Sequence, residues 1–387
     1  MMCLGRDALT THRLTARLVG IAIALLMVHP AAHGQEAEEG PAKTDGSAIP
    51  AWVKKTTLSG DLRLRYAVDK RHRDIGGDDD RDRFRARVRL KAAFAFNEQL
   101  EIVSRLTTQN YVLGTAGDEL SEGVVAYFDN FYGKWTPNRN LSLLAGMFDN
   151  QFYNSEMLWD PIYTNTGAMA DLHAKRDNVQ LRLKMAKIVF QERLWAGAAK
   201  DLGLFAVQGN VLWDAAERDN LKASLTYLDY SDAVRKVNFG QTTTNGNTGT
   251  NGLRRDDFDL LNPHLCYTRK LDAWSPVKLW AEYVHNAGAE HDRNGWQAGV
   301  SRGAMYKKKG DWQVLGYYQA LEANSTLDRY TRWEFHGGLT NAKGFHAALG
   351  YTIAKDWMVQ LRTYITDEVD GQDYDWQHYQ IQTLARF

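Results

Sequence analysis

Gly299-Val300-Ser301-Arg302-Gly303 carries the G-x-S-x-G spacing of a hydrolase nucleophile. That chemistry needs the serine on a sharp strand-to-helix turn, with a histidine base and an acid close by. Here Met305-Tyr306 continues an extended pattern and no helix follows, so Ser301 reads as a polar strand residue between two glycines. The eleven histidines are scattered and none has the H-E-x-x-H spacing of a zinc site. His346 and His378 fall on the polar faces of alternating segments and are expected to be solvated. Asp78-Asp79-Asp80 and the acids between Asp367 and Asp375 lack the ligand spacing of a calcium loop. No catalytic residue, metal ligand or cofactor is therefore assigned.

One constellation has a clearer physical meaning. Between residues 81 and 96, Phe84, Ala86, Val88, Leu90, Ala92, Phe94 and Phe96 alternate with Arg81, Arg83, Arg85, Arg87, Arg89 and Lys91. Successive side chains of a strand point to opposite faces, so this strand has an oily face and a cationic face. Asp61, Arg63 and Arg65 alternate with Leu62, Leu64 and Tyr66 in the same way. An arginine facing lipid at the bilayer midplane costs about 2 to 4 kcal/mol. Arg63, Arg65, Arg83, Arg85, Arg87, Arg89 and Lys91 are thus expected to line a water-filled pore. Neighbouring guanidinium groups repel and need counter-charge. Glu156 and Asp160, on an infolded loop at 150–166, are the candidates to supply it and to set a field across a constriction. The plainer alternative is a cationic wall that simply stays solvated.

The elements that position these residues are long strands. Soluble strands run about 5 to 6 residues, whereas a tilted membrane-crossing strand needs roughly 9 to 11. After the segments around 61–66 and 81–96, strands are expected at 99–110, 123–136, 140–149, 167–174, 177–189, 202–213, 219–230, 257–269, 277–286, 294–306, 311–320, 344–354, 357–366 and 376–387. Short turns alternate with longer polar connections, among them 69–80, 150–166 and 231–256. The segment 331–340 also alternates, at Trp333, Phe335, Gly337 and Leu339. Counting it gives an odd total and puts the tight turn at 354–356 on the wrong side. Assigning 321–343 to one outer loop leaves 16 strands, an even number as single-chain bacterial barrels have. The fold class is all-β, a transmembrane antiparallel β-barrel with short periplasmic turns and longer extracellular loops.

Both ends of the chain fit export to an outer membrane. Arg6, Arg13 and Arg17 precede an apolar run from Leu18 to Val28, too short for a membrane-spanning helix, and Ala32-His33-Gly34 offers small residues for cleavage. Residues 1–34 read as a signal peptide, 35–54 as a periplasmic linker and 55–387 as the barrel. Of 47 basic and 47 acidic residues the signal removes three Arg and one Asp, leaving a net charge of −2 and no pull toward nucleic acid. Cys3 also leaves, so Cys266 has no partner for an intrachain disulfide. The 12 Trp, 18 Tyr and 14 Phe suit aromatic girdles at two membrane interfaces. At the C-terminus Tyr379, Ile381, Thr383, Ala385 and Phe387 share an apolar face, and the chain stops on an aromatic.

The stretches Ser-Gly-Asp-Leu-Arg-Leu-Arg-Tyr at 59–66, Arg-Asp-Arg-Phe-Arg-Ala-Arg-Val-Arg-Leu at 81–90 and Lys-Trp-Thr-Pro-Asn at 134–138 carry a family resemblance. So do Leu-Ala-Gly-Met-Phe at 144–148 and Gly-Tyr-Thr-Ile-Ala-Lys-Asp-Trp at 350–357. From Leu58 to Phe387 the chain resembles bacterial outer-membrane proteins described as putative porins. The resemblance implies a 16-stranded channel for passive diffusion of small hydrophilic solutes, lying among outer-membrane lipid and lipopolysaccharide. It also implies a terminal Phe387 read by the barrel-assembly machinery, and a homotrimer as the assembly. A channel specific for anions or acidic oligosaccharides is the second reading, and an outer-membrane hydrolase using Ser301 the remote third.

Overall fold

The computed structural model describes residues 55–73, 80–108, 111–113, 125–191, 202–231, 246–250, 253–271, 275–328, 330–371 and 374–387. The expected signal and linker lie outside the described residues, as do Asp78 and Asp79. Sixteen strands form one closed antiparallel barrel. They are β1 (Thr56–Arg73), β2 (Arg81–Ala95), β3 (Leu100–Thr108, resuming at Tyr111–Leu113), β4 (Ala126–Asn138), β5 (Leu141–Asp149) and β6 (Thr164–Arg176). Next come β7 (Val179–Gln191), β8 (Leu202–Ala216), β9 (Asp219–Ser231), β10 (Phe258–Lys270) and β11 (Pro276–Asn286). The wall is completed by β12 (Asn294–Gly303), β13 (Trp312–Leu321), β14 (Ala342–Ala354), β15 (Trp357–Glu368) and β16 (Tyr374–Arg386).

Each strand pairs with its sequence neighbours, and β1 pairs with β16 to close the ring, with Tyr66 opposite Ile381. Gly60 N–H donates to Phe387 O at 2.8 Å and Phe387 N–H donates to Gly60 O at 3.1 Å, so the last residue completes the seam. The expected even strand count holds, and Glu322 to Asn341 is a connection rather than a strand. Several boundaries differ from the sequence pattern, and two of them have a visible cause. β1 runs on to Arg73, because its pairing with β16 continues that far. β12 stops at Gly303, whose φ is +93 and where a Cβ would lie 2.1 Å from Trp312 O. Only glycine fits this close reversal, and Met305 and Tyr306 belong to the turn that follows.

The burial pattern is that of a soluble protein turned inside out. Leu62 is 40% exposed, Leu265 47% and Ile365 50%, whereas Asp69, Gln208 and Gln319 are fully buried. The exposed apolar face is what hydrocarbon demands of a barrel exterior. Near one end of the wall, Phe96, Trp135, Trp213, Tyr351, Trp357 and Phe387 are exposed; near the other are Tyr127, Phe128, Tyr227, Tyr283, Trp296 and Phe345. These are the two girdles.

A closed wall with every strand paired should resist SDS until heated, and migrate faster on a gel before heating than after. Phe387→Asp should cut the folded, fast-migrating fraction at least severalfold, since it places a charge on the apolar side of the seam. Equal folded fractions for the variant and the parent protein would contradict this role of Phe387.

Candidate functional site

The register of β1 and β2 sets the cationic wall. Arg63 lies opposite Arg87 and Arg65 opposite Arg85, like charges directly across a ladder. Inward neighbours along one strand are roughly 7 Å apart, and at an effective dielectric of about 20 each such pair repels by about 2 kcal/mol. The strand that supplies two of the arginines also supplies acids at either end. Asp61 accepts from Arg87 at 3.0 Å and from Arg89 Nε at 2.7 Å. Asp69 is paired with Arg83, and its Oδ1 accepts from Trp376 Nε1 at 3.1 Å and lies 2.6 Å from His378 Nδ1. Lys91 lies toward the other end of β2, opposite Ser59 and Arg105.

The middle of the wall is reached from a connection. Glu334, between β13 and β14, accepts from Arg65 Nη1 at 2.5 Å and lies 2.6 Å from Arg332 Nε. Arg332 also meets Glu156 at 3.1 Å and Asp160 at 3.4 Å, and Glu156 lies 3.5 Å from Arg362 on β15. Glu156 and Asp160 thus sit on an infolded connection, as the sequence suggests, but their cations are Arg332 and Arg362. Glu334 is the acid that meets the β1 ladder. Arg332 reaches the acids first because its own backbone is tied to theirs. Asp160 N–H donates to Tyr330 O at 2.6 Å, Arg332 N–H to Glu156 O at 3.1 Å, and Trp333 N–H to Asp160 Oδ2 at 2.9 Å.

Both connections are anchored to the wall by polar side chains. Gln208 of β8 accepts from Tyr153 N–H and donates to Tyr153 O, each at 2.9 Å. Glu282 of β11 accepts from Ser155 N–H at 2.9 Å, and Lys184 of β7 donates to Gln151 O. His336 Nδ1 lies 3.0 Å from Thr366 Oγ1 of β15. Burial pushes His336 down to about 4, so it is neutral at ordinary pH. Burial alone would raise the Glu334 carboxyl, but Arg332 and Arg65 outweigh it and hold it well below the usual carboxylate range. Asp160 is pushed up by burial against the pull of Arg332.

The expectation of solvated histidines meets a different outcome. His346 and His378 are each 3% exposed, not solvated; His346 stacks on Tyr364 at 4.0 Å, and His378 bonds Asp69. Other inward side chains of the wall surround them, Tyr317 and Tyr364 beside His346 and Asp69, Gln380 and Tyr364 beside His378. Ser301 lies inside β12 between Lys278 and Leu315 on the flanking strands, without the turn a nucleophile needs. Among the described residues no group of three His, Cys, Asp or Glu is arranged to hold a metal ion. The sequence reading overlooked Arg332, Glu334, Arg362 and Glu282. It also overlooked Arg105 of β3, which grips Asp129 at 2.7 Å and Asp149 at 2.8 Å. Charges within an aromatic-rich stretch, Arg332-Trp333-Glu334, were the available signal.

A closed outer-membrane barrel of 16 strands, apolar outside and polar within, with connections folded into it, defines the porin class of channels. The model of the family described as "putative porin" matches residues 74–260 and 267–387, and the chain belongs to that family. It is an outer-membrane protein. No curated protein matches the chain. Solved structures similar to it include a loop L8 deletion mutant of OmpT, an outer-membrane protein of Vibrio cholerae. That match is 12% identical, covers 86% of this chain and 100% of the other, and has a TM-score of 0.48. The outer-membrane channel DcaP of Acinetobacter baumannii is similar at 12% identity, 86% and 98% coverage and a TM-score of 0.48. OpdQ of Pseudomonas aeruginosa is similar at 11% identity, 87% and 99% coverage and a TM-score of 0.45.

Arg332 is the cation shared by the two connections. Removing one partner of a buried ion pair costs about 3 to 5 kcal/mol, because the other charge stays buried and alone. Arg332→Met strips Asp160 of its cation and leaves Glu156 and Glu334 only Arg362 and Arg65, so both connections should loosen while the wall persists. Limited proteolysis of the folded barrel should then cut within 150–163 or 322–341 at least tenfold faster than in the parent protein. Unchanged cleavage would show that the network does not hold the connections.

Proposed function

We propose that this protein is a diffusion channel for small hydrophilic solutes, with its narrow part built by the 150–163 and 322–341 connections. The observation that carries this reading is the chain of charges Arg65–Glu334–Arg332–Glu156–Arg362, which runs from β1 to β15 through both connections. Such a chain places fixed charges of both signs where solutes pass, so passage depends on size and charge. Arg63, Arg65, Arg83, Arg85, Arg87, Arg89 and Lys91 are proposed as pore-lining residues, and Glu156 and Asp160 as constriction residues. No step of this function needs a catalyst.

The same reading assigns residues 1–34 to an export signal, 35–54 to a periplasmic linker and 55–387 to the barrel. Lipid and lipopolysaccharide surround the exposed apolar face. Recognition of Phe387 by the assembly machinery, and a homotrimer, belong to the proposal on the strength of family membership. The six arginines proposed here as pore-lining favour a second, narrower reading, a channel that prefers anions.

Ion conductance in a planar bilayer tests the channel, and the reversal potential in a salt gradient tests the preference. Replacing Arg85, Arg87 and Arg89 together by Glu reverses six units of charge in a confined space where salt screens poorly. The apolar face of Phe84, Ala86, Val88 and Leu90 is untouched, so the barrel should form. The reversal potential should move toward cation preference. Absence of any conductance would sink the channel reading, and an unmoved reversal potential would place these arginines away from the narrow part.

A further inference from the structure

Gly299 and Ser301 of the hydrolase-like motif have a structural neighbour that gives the first glycine a purpose. Trp280, on the inward face of β11, lies directly opposite Gly299 of β12. A Cβ at residue 299 would lie 2.2 Å from Trp280 Cζ2 and 2.5 Å from Cε2. The indole therefore rests on bare backbone of the neighbouring strand, which only glycine permits here. Its Nε1 donates to Gln297 Oε1 at 3.0 Å, and Gln297 Nε2 donates onward to Gln319 Oε1 at 2.8 Å. The ring is thus fixed in plane and position from two sides.

This indole forms part of the lining of a cavity of about 360 Å³ inside the barrel, shared with Tyr317, Gln360, Arg362 and Glu156. The size is that of pockets for small molecules. Tyr317 is 8% exposed, and its hydroxyl has no hydrogen-bond partner in the protein. Arg362 and Glu156 lie 3.5 Å apart, so the cavity offers a fork of donors and a pair of acceptors with their charges compensated.

We propose that this cavity is a binding subsite for a neutral polyhydroxylated ring, a sugar of monosaccharide size. The proposal rests on the channel reading for how the solute arrives. An indole face accepts the apolar C–H face of a sugar ring, whose hydroxyls then reach planar polar groups at the rim. Compensated charge gives neither an anion nor a cation an advantage. A site built to bond hydroxyls discriminates strongly against solutes that lack them.

Saturation-transfer difference NMR on the folded protein in detergent micelles, with D-glucose as probe, tests the subsite without requiring conduction. A conductance measurement on the same preparation keeps a failure of the channel reading distinguishable. Transfer to glucose ring protons is expected with the parent protein and with Trp280→Phe, which keeps an aromatic face. Trp280→Ala and Gly299→Val should each lose at least tenfold of that transfer. Trp296→Ala, which removes an outward indole on β12, should leave it unchanged. Absence of transfer in the parent protein, undiminished transfer in Trp280→Ala, or transfer to benzoate in place of glucose would overturn the proposal.

Discussion

Hydrocarbon cannot hydrogen-bond a peptide group, and this one constraint organises the molecule. Every N–H and C=O within the membrane must find a partner in the chain, so a sheet that crosses it must close on itself. Closure happens between the first and last strands, where thirteen register pairs from Asp61–Arg386 to Arg73–Tyr374 join β1 to β16. The first and last strands are therefore the seam of the wall. Once the ring is closed, alternation follows. One side of each strand must tolerate lipid, so the other inherits the polar residues, and exposed leucines coexist with buried aspartates.

The interior solves a second hydrogen-bonding problem with the same residues. A connection that folds into the barrel brings backbone groups away from bulk water, and those groups also need partners. The wall provides them from its inward side chains. Gln208 satisfies both backbone groups of Tyr153, Glu282 accepts from Ser155 N–H, and Asn286 donates to Asn324 O at 2.8 Å. Asn247 plays the same part from another connection, donating to Ala323 O at 2.7 Å and Thr326 O at 2.9 Å. Polar residues on the inner face thus serve as backbone partners as well as a wet lining. Small residues matter where elements touch: a Cβ at Gly337 would lie 2.1 Å from the Trp376 ring.

The fold was readable because its signal is local and repeats. Period-2 alternation at 81–96 and 376–387 depends only on neighbours along one strand, and the parity of turns settled where 331–340 belongs. The β12 boundary was less readable, since Arg302 to Tyr306 continues the extended pattern and only the close approach at Gly303 ends it. The candidate site was half legible. Which side chains share the inner face follows from parity. Which acid meets which arginine does not, because Glu334 lies 269 residues from Arg65 and in a stretch without regular structure. Asp61 and Asp69 were within reach: they share parity with Arg63 and Arg65, so the ladder carries its own counter-charges at both ends. The hydrolase-like motif misled for a related reason. Spacing alone does not reveal that Gly299 stands opposite Trp280.

The distribution of charge argues for where selectivity arises. The β1–β2 wall presents Arg63, Arg65, Arg83, Arg85, Arg87 and Arg89, met by Asp61, Asp69 and Glu334. Cations outnumber carboxylates there, so the wall keeps a net positive potential. Lys184 and Lys222 stand on inward positions of β7 and β9, so positive charge is not confined to one side of the ring. Acids offset it both on the wall, where Asp129 and Asp149 hold Arg105 and Asp171 lies 3.9 Å from Lys184, and in the connections, where Glu156, Asp160 and Glu334 are committed to Arg332 or its neighbours. The field along the pore therefore differs from a simple cationic wall facing an acidic one. Cations are in excess at the β1–β2 wall, while opposite charges are paired where the connections cross. Where opposite charges stand within a few ångströms of one another their far field largely cancels, so at the crossing shape and hydrogen bonding gain weight over net charge.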